Sequence, residues 1–103
     1  MPNVHRGTWV LDILTPLVKP SYVPKPHLQD IIRKSNSVTV ITKEPYICVT
    51  VEFETAEIIV TGIGFAKCNT KLDEFDSFIG ITIALSRAAK DVHTQLKEAE
   101  CSG

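Results

Sequence analysis

Arg87 is the side chain whose neighbours best suit it to chemistry. It falls in a helical run where Gly80, Ala84 and Ala88 project almost nothing, so a backbone or a ligand can come close to its guanidinium. A planar guanidinium aimed into such a gap suits phosphate. Upstream, Phe65, Lys67 and Asn69 alternate along a strand that also carries Gly62 and Gly64. An aromatic ring, a cation and an amide in one row suit a nucleotide, through stacking, charge and hydrogen bonding. A plainer reading stands beside each. Arg87 can be an exposed arginine paired with Asp91 one turn on, and Phe65 can be a core residue. Asp73, Glu74 and Asp76 precede the helical run and complement its dipole, but they would repel an anion there. Any phosphate therefore falls to Arg87, to Lys67, or to a basic side chain from elsewhere such as Arg33.

Other reactive groups form no pattern. His5, His27 and His93 lie far apart in sequence, and none has a cysteine or acid at metal-ligand spacing. Cys48, Cys68 and Cys101 are odd in number and read as free thiols of a reducing compartment. No nucleophile, base and orienting group come together, and no phosphate-loop consensus is present. The expectation is a binding protein without catalytic residues, metal or cofactor.

Eleven basic and twelve acidic residues leave a net charge of −1, and the basic ones are scattered. That balance argues against a nucleic-acid partner. The first residues lack the apolar run of a signal peptide, and no segment approaches a membrane span. The expected place of action is the cytoplasm.

The 103 residues make one small domain with a thin core. With 44% apolar residues, part of that surface is expected to be covered in a homo-oligomer. Trp9 to Leu14 reads as a first strand, and Pro16, Pro20, Pro24 and Pro26 then punctuate a segment that cannot be regular structure for long. His27 to Ser35 has helical spacing behind a proline. Ser37–Thr42, Tyr46–Glu54 and Ile58–Lys67 read as a meander. In the second of these Ile47, Val49, Val51 and Phe53 share one face. Gly62, Gly64 and Ala66 leave one face of the last strand bare, so a helix or another chain can lie against it. From Phe78 to Ala99 an apolar stripe at helical spacing marks a long helix, with Gly80 as a place for a kink. The fold class is α+β: an antiparallel meander of about four strands against a long C-terminal helix. One helix cannot cover both sheet faces, so the helices or the open face should meet another copy.

The run from Gly64 to Ala88, Gly-Phe-Ala-Lys-Cys-Asn followed by Asp-Glu-Phe-Asp, Gly80, Ala84 and Arg87-Ala88, resembles the first family of Thoeris anti-defence proteins of phages. The resemblance covers about a quarter of the chain, and Thr70-Lys-Leu72 departs from it. It implies a non-enzymatic sponge that sequesters immune signals, cyclic ADP-ribose isomers, with cyclic oligonucleotides at a separate site in some members. It also implies a dimer or higher oligomer in the host cytoplasm. Asn69 and Arg87 are the matching pocket positions, with Phe65 as the stacking aromatic and Phe53 or Tyr46 as alternatives. The element order from His27 onward also resembles a double-stranded-RNA-binding domain. Such domains use lysines at the start of the last helix, where this chain has Asp73-Glu-Phe-Asp76. A purely structural or protein-binding oligomer is the third reading.

Overall fold

Strict alternation of apolar and polar residues in Tyr46–Glu54 requires a strand with one dry face. The computed structural model describes residues 3–5, 7–18, 20–43, 46–67 and 77–101, and in it this segment is the centre of an antiparallel sheet. The elements run β1 (Asn3–His5), α1 (Gly7–Leu14), α2 (Pro26–Lys34), β2 (Ser37–Lys43), β3 (Tyr46–Glu54), β4 (Ile59–Lys67) and α3 (Ser77–Cys101). Two short 3-10 turns, Thr15–Leu17 and Pro20–Tyr22, link α1 to α2. The three long strands pair in chain order, with Val49 opposite Val40 on one side and Gly64 on the other. Asn3–His5 adds three residue pairs beside β2.

Ile47, Val49 and Val51 are wholly buried and Phe53 partly so, as their alternation requires. The β3–β4 connection is closed by Thr55, whose N–H donates to the carbonyl of Ile58 at 2.8 Å. Its hydroxyl accepts from the N–H of Glu57 and of Ile58. Asn36, just before β2, fastens the same end of β3 from its other side, accepting from the N–H of Glu54 at 3.0 Å.

The bare face of β4 is where α3 lies. A methyl group at Gly62 would collide with the carbonyl oxygen of Ala88, and one at Gly64 with that of Ala84. Strand glycines and helix alanines thus bring two backbones together, and Ala84, Leu85, Ala88, Ala89 and Val92 are wholly buried between them. α2 packs on α3 and β3 through Leu28, Ile31 and Ile32, and α1 packs on α2 and β2. Each helix therefore sits on the same sheet face, around one core. The α+β class and the long C-terminal helix are as expected, with α3 one continuous helix through Gly80.

One expected element is of the wrong type. Trp9 to Leu14 is helix, not strand. A strand would group Trp9, Leu11 and Ile13 on one face, yet Gly7, Val10 and Leu11 are buried while Trp9, Asp12 and Ile13 are exposed. That is the helical period of three and four. Gly7 is needed where α1 meets α2, because a side chain there would strike the carbonyl of Ile32. The short helix begins at Pro26 and ends at Lys34, where the N–H of Ser35 turns back to the carbonyl of Ile32.

Candidate anion-binding groove

Along α3 the residues Ile83, Ser86, Arg87, Lys90, His93 and Thr94 recur at spacings of three and four, so they share one flank of the helix. Facing them is the segment from Ser21 to Leu28, the end of the proline-rich link and the first turn of α2. Between the two runs an open groove of about 420 Å³. Its lining is apolar at Pro24, Leu28 and Ile83 and polar at its rim.

The charges in the lining have one sign. Lys25, Arg87 and Lys90 supply cations, and no aspartate or glutamate is among the described residues that line it. His27 and His93 meet edge to face with ring centroids 5.2 Å apart, and Tyr22 adds an exposed aromatic. A pocket of this kind can give a small anion charge, hydrogen-bond donors and an aromatic surface together.

Arg87 is held by the strand edge. Its Nη1 donates to the carbonyl oxygen of Phe65 at 2.6 Å. One turn on, Asp91 Oδ2 accepts from the N–H of Ile63 at 3.0 Å, and one turn further Gln95 Nε2 donates to the carbonyl of Thr61 at 2.8 Å. Four helical residues rise about 6 Å and two strand residues about 6.7 Å, so the three rungs stay in step. Asp91 is thereby spent on the strand, and no ion pair joins it to Arg87 among the described residues. One edge of the guanidinium is fixed while the side chain still lines the groove.

Of the other expected site residues, Phe65, Lys67 and Arg33 do not line this groove. β4 alternates, so Gly62, Gly64 and Ala66 face α3 while Phe65 and Lys67 face away from it. Phe65 is 63% exposed, and the Lys67 ammonium stands 5.6 Å from the centre of the Tyr46 ring. Phe65 is therefore no core residue. Arg33 leaves the last turn of α2 on another side, where it pairs with Asp12 of α1 at 3.7 Å. Asn69 lies outside the described residues, as do Cys68, Asp73, Glu74 and Asp76.

Sequence reasoning missed Tyr22, Lys25, His27, Lys90 and His93. Lys90 and His93 carried a signal, standing three and six residues beyond Arg87. Nothing local to Tyr22, Lys25 or His27 showed that the proline-rich segment would fold back on α3. No group of three His, Cys, Asp or Glu side chains converges as a metal site among the described residues. No helix among them is long and apolar enough to cross a membrane. Compared with known proteins, the chain matches no family model, no curated protein and no solved structure.

Proposed function

We propose that this protein binds a small phosphate-bearing, nucleotide-type molecule in the groove between α3 and the Ser21–Leu28 segment and holds it without turnover. One observation carries the reading: three cations, a histidine pair and a tyrosine line a single groove, with no carboxylate among the described residues of its lining. The expected ligand is a cyclic ADP-ribose isomer, which makes the protein a phage sponge for an immune signal in the host cytoplasm. A volume of about 420 Å³ lies in the usual range for small-molecule sites. A sponge must bind near nanomolar, about −12 kcal/mol. One arginine–phosphate contact contributes only ~1.5–3 kcal/mol, so the lysines and the tyrosine must share the task. Calorimetric titration with cyclic ADP-ribose isomers made by an activated TIR enzyme tests this. Tight binding is expected, with Lys25→Ala and Lys90→Ala each about tenfold weaker and Arg87→Ala about a hundredfold weaker. Heating the complex should return the signal unchanged. A cleaved product would make the protein an enzyme, and no uptake of any isomer would sink the proposal.

A second reading is favoured by the element order. α2, β2, β3, β4 and α3, with both helices on one sheet face, is the order of a double-stranded-RNA-binding domain. Against it, two of the groove's cations, Arg87 and Lys90, lie in the middle of α3, and the first turn of that helix, Ser77-Phe-Ile-Gly80, has no lysine or arginine. Duplex RNA at near-physiological salt should therefore not saturate below tens of micromolar, about the non-specific level. Tight, salt-sensitive binding would put this reading first.

A further inference from the structure

The sheet face turned away from the helices is apolar at its centre and charged with opposite signs at its two ends. Across the strands Ile41, Cys48 and Phe65 stand side by side, and the next row carries Ile63. Phe65 is 63% exposed, Ile63 47% and Ile41 44%, whereas the helix-facing valines of the same strands are wholly buried or nearly so. At one end Lys43 and Lys67 flank Tyr46. At the other end lie Glu52 and, beyond it, Glu54, which accepts a bond from Asn36.

We infer that this face binds a second copy of the same chain, turned about a two-fold axis that crosses the strands near Val49. Residue parity and charge select that axis. A two-fold along the strands would set the lysine end against the lysine end, which repels. A two-fold across them sets each lysine end against the other copy's glutamate end. Tyr46 and Glu52 are equally far from Val49 along β3, so Glu52 of the second copy comes to lie over Tyr46, between Lys43 and Lys67. The same operation lays Phe65 against Ile63 of the second copy. Two sheets packed in this way sit about 10 Å apart with strands within about 30° of one another.

The size of the face fixes the expected strength. Three strands of up to nine residues offer a footprint of about 14 by 30 Å, near the lower end for a specific contact. The dimer should therefore dissociate on the order of micromolar concentration, with the charges setting register more than strength. This inference does not depend on the ligand reading, because the groove is on the opposite side of the sheet.

Sedimentation velocity of the full chain, from about one to a few hundred micromolar, tests it. The wild type should pass from monomer to dimer. Phe65→Glu should stay monomeric with an unchanged circular dichroism spectrum, since the side chain touches no core. Glu52→Lys/Glu54→Lys and Lys43→Glu/Lys67→Glu should each be monomeric alone and form a one-to-one heterodimer when mixed. A wild type that stays monomeric throughout overturns the inference. So does a dimer that survives Phe65→Glu, or a mixture of the charge variants that fails to pair.

Discussion

Arg87 is tied to the strand edge and, in the proposed function, also meets the ligand, and this decides what its substitutions should do. Its hydrogen bond to the Phe65 carbonyl is worth about 1 kcal/mol, because the group is exposed and water competes for it. Arg87→Lys keeps the charge but has no second edge to offer, so it should cost about tenfold in ligand affinity with little change in stability. Calorimetry alongside thermal unfolding separates the two effects. Gly64→Ala is the converse case, a change at a residue outside the groove lining. Its methyl group would meet the backbone of Ala84 and Ala88. We expect a loss of roughly 1–3 kcal/mol, read as a melting temperature lower by about 5–15 °C. The sequence made both residues legible, but it also held a sign that Phe65 and Arg87 belong to different places. If Gly62 and Gly64 admit the helix, parity turns Phe65 and Lys67 to the other face. An arginine arriving from the helix cannot then share a pocket with them.

At the scale of elements, regular periods were easy to read and the exceptions have a common cause. β3 and α3 each show more than two full repeats of their period, so their buried faces follow from sequence alone. Trp9–Leu14 is too short for that. Its Trp, Val and Ile favour a strand by type, and only packing against α2 shows that Val10 and Leu11 are buried together. A direct check compares two truncations. Leu11→Ala should cost about 2–5 kcal/mol, as for a fully buried leucine. Ile13→Ala should cost well under half of that, although a strand would place both side chains on one face. Equal losses in denaturant unfolding would contradict the helical register of α1. The groove was illegible for a similar reason. It needs the turn at Pro20–Tyr22 to bring Lys25 and His27 beside α3, and no local period encodes that approach.

For the whole molecule, the sheet acts as a partition, with the groove on the helix side and the proposed self-contact on the other. Ligand affinity should therefore be the same for the wild type and for Phe65→Glu. It should fall as salt rises, because the groove's cations face open solvent and are screened. An affinity that changed with protein concentration would show that the two sides communicate. The rungs from Arg87, Asp91 and Gln95 bear on a different hazard. β4 is the last strand of the sheet, and an unprotected last strand invites stray chains to add to it without limit. Here three of its backbone groups are already engaged by side chains of α3. The amide proton of Ile63 should accordingly exchange with heavy water as slowly as its interior neighbours. In Asp91→Ala it should exchange freely, and that variant should be the one that seeds thioflavin-positive fibres on long incubation.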